Sequence, residues 1–325
     1  MERHKKQSFW SSYVSSLPPK PPWIPSLLSV EYIELLPADL RLAAKKSRRL
    51  LEESWSRIKK SIKRDWTCSC CGKRADCVLD VNTFTWGYIL VNTRAVYVNP
   101  EIVRESCGSC EDILSDQPCM ALCPYLDMFN HSHTARTRAE LIRREGRLVY
   151  QLTALNSTKK HQQVFISYGA HDNVKLLTEY GFFIPGNRFD SIQIRSEDVL
   201  KVLNLNLNDS QYKFIRTHGL DKSDLYIGEG GPSFNLKAFL FVAFKDSTAK
   251  NFASIIYSDS YPKHFLEGIV DSCRKLLYLH LELTEKALRT FQDLASIDSE
   301  RDVSVIIDFL KYRREFVKVL CDNKQ

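Results

Sequence analysis

The sequence predicts an α+β protein in which a β-rich core follows an N-terminal helical segment and precedes an all-helical C-terminal region. Three observations predict this fold class. Apolar residues recur at helical spacing over residues 39–64, short strand-like runs fill the middle of the chain, and a period of 3.6 residues dominates beyond about residue 195. With 325 residues, 44% of them hydrophobic, the chain is long enough for one large or two medium domains with buried cores.

The N-terminal helical segment carries the chain's excess of positive charge. The whole chain has 46 basic and 39 acidic residues and a net charge of +7, whereas residues 41–64 hold ten basic residues against Glu52 and Glu53, a net of +8. One amphipathic helix is predicted over 39–64 because an apolar stripe recurs at spacings of seven, four, three and four residues, at Ala44, Leu51, Trp55, Ile58 and Ile62. Its cationic face is typical of a solvated surface, and it also suits weak contact with DNA phosphates.

Strand-like runs in the middle of the chain are separated by turn residues. The run from Ile89 to Val98 predicts a strand within a stretch rich in Cys, Gly, Asp and Pro. Leu141–Arg144 and Leu148–Leu155 predict a hairpin across the dipeptide Glu145-Gly146, and Val164–Tyr168 predicts a buried strand. The middle of the chain is therefore predicted to be mostly β.

Helical periodicity returns in the C-terminal part of the chain, for example at Leu276, Leu279 and Leu283. Pro232 and Ser233 follow two glycines and predict the start of a helix. The Asp-Ser-Glu sequence at 298–300 predicts a loop between the last two helices. An all-helical second domain is predicted.

Several function classes lack their sequence signatures. The chain contains no Gly-x-Gly-x-x-Gly or P-loop motif for nucleotides, no His-Glu-x-x-His helix and no Gly-x-Ser-x-Gly elbow. No run approaches the roughly 18 apolar residues that a membrane span requires, and the N-terminus has no uninterrupted apolar segment of the kind found in signal peptides. The sequence therefore predicts a protein of the cytoplasm and nucleus with no membrane contact.

Ten cysteines allow two interpretations. In a reducing compartment free or partly buried thiols are the default expectation. The alternative is a structural zinc site, since several spacings overlap those of zinc-binding cysteines; the cysteines concerned are Cys68, Cys70, Cys71, Cys77, Cys107, Cys110, Cys119 and Cys123.

Three short motifs carry the candidate chemistry. Pro124–Ser132 places an acid, an amide and an imidazole (Asp127, Asn130 and His131) within a few residues of each other. Phe165–Gly169 and Glu179–Phe183 each bring a tyrosine next to a glycine. Alone, each motif is usually a turn or a packing feature, but their combination in this order is specific.

In order and spacing these motifs resemble the SET-domain protein lysine methyltransferases of the class typified by the Rubisco large-subunit methyltransferase. The segment Phe84–Arg94 resembles an earlier strand of that family, and Ser8–Pro18 resembles the start of its helical insert. The resemblance covers nearly the whole chain. It implies three domains: a helical SET insert over 1–66, a SET core over 67–195 and a helical substrate-binding-like domain over 196–325.

The resemblance also implies a cofactor and a set of roles. S-adenosyl-L-methionine would donate a methyl group to a lysine of a protein substrate, a histone tail or a non-histone protein, with no metal in the site. Tyr168 is the implied catalytic residue. The residues implied to bind the cofactor are Arg94, Asn130, His131 and Tyr168, and those implied to bind the substrate are Asp127, Tyr180 and Phe182. His133 has no implied role and is expected to face solvent, and the protein is expected to be a monomer.

One departure from the family pattern leaves a second function open. A SET domain of this class begins with strands that carry a Gly-x-Gly turn, whereas residues 1–30 contain no glycine. These strands are therefore expected to be missing. The alternative hypothesis is a catalytically inactive form that acts as a protein-binding module.

Overall fold

The computed structural model describes residues 8–62, 66–68, 71–106, 119–221, 224–244, 252–297 and 303–322. The chain divides into two compact units. The first comprises Met1–Leu28, Ala43–His171 and Lys175–Gly181, and the second comprises Ser29–Leu42, Asp172–Val174 and Phe182–Gln325. The domain boundaries predicted after residues 66 and 195 stay predictions. Within the described ranges, no helix has both the length and the apolar character needed to span a bilayer.

The N-terminal part of the chain is helical. After α1 (Ser11–Ser16) come a short 3₁₀ turn (Pro25–Leu27), α2 (Val30–Glu34) and the long helix α3 (Ala38–Ser61). The prediction of one amphipathic helix over 39–64 is confirmed up to Ser61, and residues 63 and 64 lie outside the described residues. Along its apolar stripe Ala44 is fully buried and the Trp55 ring packs on Phe84.

The predicted strand from Ile89 to Val98 is wrong over most of its length. After α4 (Ala75–Val78), residues Val81–Arg94 form helix α5, and only Val96–Val98 form a strand, β1. The Asp80 carboxylate caps α5 by accepting a hydrogen bond from the Thr83 N–H at 2.7 Å. The β-branched residues at 89, 91 and 93 alternate as in a strand. The Asp80 cap and the burial of Phe84 stabilise a helix here instead.

The remaining strands of the first unit form three small sheets. Helix α6 (Pro100–Ser106) follows β1, which pairs antiparallel with β2 (Cys119–Ala121). The predicted hairpin is confirmed: β4 (Thr137–Arg144) pairs with β5 (Arg147–Ala154) across Glu145 and Gly146. Both turn residues have positive φ, 50° and 74°, as a two-residue type I′ turn requires.

A parallel pair of short strands lies next to the hairpin in sequence. β3 (Asn130–His131) pairs with β6 (Phe165–Ile166), so the predicted strand over 164–168 is only two residues long. The chain then forms α7 (Asn173–Lys175) and a π-helical turn over Leu176–Tyr180. This parallel pair and the π turn position the candidate site described below.

The second unit is mostly helical. It contains α8 (Ser196–Val202), α9 (Asp209–Thr217), α10 (Phe234–Phe244), α11 (Phe252–Tyr257), α12 (Lys263–Ile297) and α13 (Ser304–Asp322). The helix start predicted at Pro232 and Ser233 is confirmed, since the Ser233 Oγ accepts a hydrogen bond from the Leu236 N–H at 3.1 Å. The loop predicted at 298–300 lies outside the described residues.

The region beyond residue 195 is mainly helical, as predicted, but it also contains two short strands. Strands β7 (Ser191–Gln193), β8 (Tyr226–Gly228) and β9 (Gly231–Pro232) form a three-stranded antiparallel sheet. Ile192 and Ile227 in this sheet are almost fully buried. The strands have only two or three residues, too few for a period of two to stand out in the sequence.

A charged cluster is buried among the helices of the second unit. The Arg313 guanidinium on α13 binds the Asp39 carboxylate at 2.6 Å, and both side chains are less than a tenth exposed. Burial, the largest single effect, would raise the pKa of Asp39. The charge and hydrogen bond of Arg313, with smaller effects from His280 and the Leu40 N–H, together hold this pKa below its ordinary value. His280 on α12 is buried in the same neighbourhood. The start of α3 is therefore tied to the C-terminal helix.

Candidate active site

Parallel pairing of β3 and β6 joins two of the sequence motifs. Asn130 lies opposite Phe165 and His131 opposite Ile166, and the Ser132 N–H extends the ladder to the Ile166 carbonyl at 3.0 Å. Because β6 leads directly to Tyr168, this register places the Tyr168 ring on the His131 ring. The two ring centroids are 5.1 Å apart and the rings are nearly parallel.

The contact between His131 and Tyr168 defines the state of the imidazole. The Tyr168 backbone N–H donates a hydrogen bond to His131 Nδ1 at 3.0 Å. An accepting Nδ1 requires a neutral ring with its proton on Nε2. Burial lowers the pKa of His131 below its ordinary value, which favours this neutral form.

Tyr168 is also held through its hydroxyl and through a second tyrosine. The hydroxyl donates to the Phe129 carbonyl at 2.8 Å, and the Tyr180 ring centroid lies 5.0 Å from that of Tyr168. Burial raises the pKa of Tyr168, and burial followed by the charge of Glu179 raises the pKa of Tyr180 to about 12. Both phenols are therefore neutral at physiological pH. Two neutral phenol faces beside a neutral imidazole form an aromatic group suited to a cation.

The glycine that follows each site tyrosine lies where a Cβ would have no room. Gly169 has φ of 129°, and a Cβ added there would lie 2.9 Å from the His171 ring. Gly181 ends the π-helical turn in the left-handed conformation, and a Cβ there would collide with the Trp23 carbonyl oxygen. The Tyr-Gly pairs noted in the sequence therefore have a steric cause.

A buried carboxylate forms the second part of the site. The Arg94 guanidinium, at the end of α5, donates to the Asp127 carbonyl at 2.9 Å and lies 3.4 Å from Asp127 Oδ2. The Tyr13 hydroxyl donates to the same Oδ2 at 2.5 Å. The Asp127 side chain is fully buried, and within the described part of the chain its Oδ1 has no hydrogen-bond partner. Tyr13 was not predicted, because no local pattern signals a contact across 114 residues.

The structure brings several of the predicted site residues together. Arg94 contacts Asp127, and His131, Tyr168 and Tyr180 form one aromatic group. Asn130 precedes His131 in β3 and is exposed. Phe182 is half-buried and belongs to the second unit. The individual roles implied for these residues stay predictions.

The expectation that His133 faces solvent is wrong. The residue is half-buried, and its Nδ1 is buried without a hydrogen-bond partner in the described residues. The physical reason is the ladder bond at Ser132, which keeps the chain against β6 just before His133.

A cavity of about 740 Å³ opens in the first unit beside the Arg94 end of the site. Tyr13 and Arg94 are among its lining residues, and most of the others are apolar or aromatic, including Trp10, Leu17 and Trp86. Its volume falls in the range of small-molecule sites, which are clefts or cavities of about 300–1,000 Å³.

The zinc alternative receives no support from the described cysteines. Cys68 is buried and Cys119 and Cys123 are half-buried, whereas Cys71 and Cys77 are exposed. In the parts of the chain that the structure describes, no three or more metal-binding side chains are arranged to hold an ion. Cys70, Cys107 and Cys110 lie outside the described residues, so the prediction for the full cluster stays open.

The β-rich first part of the chain and its helical C-terminal region have the fold of a solved SET domain, the domain that defines a class of protein lysine methyltransferases. No family model matches the chain. A solved SET domain of LSMT, bound to methyllysine and AdoHcy, shares the fold over 98% of this chain and 71% of that one, with a TM-score of 0.53 at 15% identity.

Curated relatives give the particular family. SET domain-containing protein 4 of Artemia parthenogenetica is 30% identical over 319 residues, which cover 96% of this chain and 73% of the relative. Ribosomal lysine N-methyltransferase set11 of Schizosaccharomyces pombe is 37% identical over 116 residues, 36% of this chain and 26% of that protein. The chain belongs to the family of SET domain-containing protein 4, within the SET-domain protein lysine methyltransferases. The predicted family and fold class are confirmed.

Proposed function

We propose that this chain is an S-adenosylmethionine-dependent protein-lysine N-methyltransferase. The observation that carries the proposal is the convergence of His131, Tyr168 and Tyr180, which come from three segments of the chain, into one neutral aromatic group. Family membership supports the same reaction class.

The residues present fit the proposed cofactor. When bound, S-adenosylmethionine supplies an electrophilic methyl group on a positively charged sulfur. Arg94, Asn130, His131 and Tyr168 are the residues proposed to hold it. The phenol rings of Tyr168 and Tyr180, whose centroids are 5.0 Å apart, favour a cation such as its sulfonium group.

The chain's own residues would mainly align the reactants and exclude water, because methyl transfer to an amine needs no covalent enzyme intermediate. The Phe129 carbonyl fixes the direction of the Tyr168 hydroxyl, which would orient the lysine amine. Tyr180 and Phe182 are proposed to line the lysine channel, and Asp127 is proposed to contact the substrate. Tyr168 stays protonated because burial raises its pKa, and its one proton is donated to the Phe129 carbonyl. Its oxygen can therefore accept an N–H of the lysine amine, and it does not act as a charged base.

The substrate class is proposed to be a lysine in a histone tail or in another protein. The name of one relative, ribosomal lysine N-methyltransferase set11, favours including ribosomal proteins among the candidates. We place the protein in the cytoplasm and nucleus, where both kinds of substrate occur, and we propose that it acts as a monomer.

Helix α3 is proposed to make weak contact with DNA through the predicted segment 41–64. Its carboxylates are already paired, since Arg48 binds Glu52 at 2.9 Å and Arg49 lies 3.7 Å from Glu53. Further exposed cations on this helix, Lys46, Arg57 and Lys60, are left for an external anion.

Methyl transfer from labelled S-adenosylmethionine to purified histones and ribosomal proteins tests the proposed activity. Tyr168→Phe removes one hydroxyl and should lower turnover by about 10²–10³-fold with little change in unfolding midpoint, because a hydrogen bond that orients the reacting group is lost. Tyr212→Phe, at an exposed tyrosine of α9, is the matched control and should retain full turnover.

The same purified protein distinguishes a methyltransferase from a catalytically inactive protein-binding module. A chain that captures protein substrates but shows no binding of S-adenosylmethionine by calorimetry at millimolar ligand would be the non-catalytic module instead. Full turnover in Tyr168→Phe would contradict the role of that residue while leaving the reaction class in place.

A further inference from the structure

The Tyr13 hydroxyl is hydrogen-bonded to the buried Asp127 carboxylate of the candidate site. It donates to Asp127 Oδ2 at 2.5 Å, and the Arg94 guanidinium lies 3.4 Å from the same oxygen. The Asp127 side chain is fully buried, whereas that of Arg94 is one-fifth exposed. A buried carboxylate is stable only when it is paired and hydrogen-bonded, so this carboxylate depends on both neighbours.

Tyr13 remains a donor over the physiological pH range. Burial raises the pKa of the phenol well above its ordinary value, and the hydrogen bond to Asp127 raises it further. A protonated phenol can give its single proton to one acceptor only, and here that acceptor is Oδ2. The bond therefore fixes which of the two carboxylate oxygens faces Tyr13 and Arg94.

The segment that carries Tyr13 is anchored at two further points within the first unit. The Trp86 indole N–H donates to the Pro18 carbonyl at 2.9 Å, and the Trp23 carbonyl lies against Gly181, directly after Tyr180. These two contacts hold the segment around Tyr13 in place before a ligand binds. The Tyr13 hydroxyl therefore does not have to become ordered when the ligand binds.

The orientation of the carboxylate has a consequence for its second oxygen. Oδ1 is buried and has no hydrogen-bond partner in the described ranges. Leaving such an oxygen unpaired costs the free energy of its desolvation, which is largest for a charged group. The oxygen is therefore a ready acceptor for an N–H of a bound ligand.

We propose that Tyr13 is a positioning residue, which holds the Asp127 carboxylate so that Oδ2 binds Arg94 and Oδ1 is presented to an N–H group of the protein substrate. This inference rests on the proposed methyltransferase function. Tyr13 touches neither the methyl group nor the amine; it acts through Asp127.

A double-mutant cycle on the full chain tests this role. Tyr13→Phe should raise the KM for the protein substrate about tenfold and leave kcat within about twofold, because binding rather than chemistry loses the interaction. Asp127→Asn should raise the KM by at least as much. The double variant should resemble Asp127→Asn alone, because the hydroxyl has no role once the carboxylate is gone.

Tyr97→Phe is the matched control. Tyr97 is an exposed tyrosine of the first unit, and its hydroxyl makes no hydrogen bond to a described residue. The KM of Tyr97→Phe for the protein substrate should equal that of the wild type. Additive effects of the two substitutions on KM, or an unchanged KM in Tyr13→Phe, would overturn this inference but not the proposed function. A wild-type chain without cofactor binding or turnover would overturn the proposed function as well, and the two failures are therefore distinguishable.

Discussion

Gly181 shows how a single residue limits the geometry of the candidate site. It has φ of 82°, a conformation that disfavours any residue with a Cβ, and it lies directly under the Trp23 carbonyl. Tyr180 directly precedes it, and the Tyr180 ring centroid lies 5.0 Å from that of Tyr168. The glycine therefore links the N-terminal segment of the first unit to the aromatic group.

Gly181→Ala should lower the free energy of unfolding by about 1–3 kcal/mol, because the added Cβ needs both an unfavourable φ and a shift of Trp23. Denaturant unfolding measures the loss, and turnover should fall with it as Tyr180 moves. Gly87→Ala is the matched control, since a Cβ at this helical glycine meets nothing within 4 Å. That variant should be more stable by about 0.5–1 kcal/mol. Equal effects at the two positions would contradict the steric account.

Sequence reasoning found the residues of the site that lie in compact motifs. His131 and Tyr168 were recognised because each stands in a short segment of unusual composition, and the order of these segments matched a known family. Tyr13 and Trp23 were missed. Their contacts to Asp127 and Gly181 depend on how distant segments fold together, and a hydroxyl or a backbone carbonyl leaves no periodic trace in the sequence.

At the scale of elements, the predictions held where a cap or a turn agreed with the periodicity. The hairpin β4–β5 was predicted because Glu145-Gly146 lies between two apolar runs. Helix α5 was missed because three β-branched residues alternate within it, and its N-terminal cap, Asp80, lies nine residues before the first of them. The sheet β7–β9 was missed because its strands are too short to show a pattern.

Helix α3 gives a prediction at this scale. Residues 46, 57 and 60 lie on one face of the helix and span about 21 Å at 1.5 Å per residue. Lys46→Gln/Arg57→Gln/Lys60→Gln should weaken binding of a short DNA duplex at low salt. It should also reduce the slope of log Kd against log salt by up to about three, or one per lost phosphate contact. Fluorescence anisotropy over a salt series measures both quantities.

Three exposed lysines of the second unit provide the control for this experiment. Lys213→Gln/Lys263→Gln/Lys275→Gln changes the net charge by the same amount on α9 and α12. An equal loss in this variant would mean that only total charge matters. Undetectable duplex binding by the wild type at low salt would remove the proposed contact.

At the scale of the whole molecule, the buried cluster around His280 links stability to pH. Burial, followed by the charge of Arg313, lowers the pKa of His280 to about 4, although the charge of Asp39 opposes this shift. In the unfolded chain a histidine titrates near pH 6.5. Between these two values the unfolded chain binds a proton that the folded chain does not, so stability falls as the pH falls through this window.

The free energy of unfolding should therefore drop by about 2 kcal/mol between pH 7 and pH 5 because of this residue alone. Urea unfolding of the wild type and of His280→Leu at several pH values measures the difference between their pH slopes. The variant should lose this part of the dependence, since leucine does not titrate. Identical slopes for the two proteins would show that His280 is accessible to protons in the folded state.

The path of the chain through its two compact units bears on how the protein can be divided. The chain passes from one unit to the other after residues 28, 42, 171, 174 and 181, so neither unit is a single continuous stretch. A fragment that starts at residue 196 would include Arg313 but not Asp39, its only ion-pair partner among the described residues. Removing one member of a buried ion pair costs about 3–5 kcal/mol, a large part of the stability of an ordinary domain. A fragment that starts at residue 196 is therefore expected to be much less stable than the same residues in the intact chain. The function of the helical C-terminal region is best studied in the intact protein.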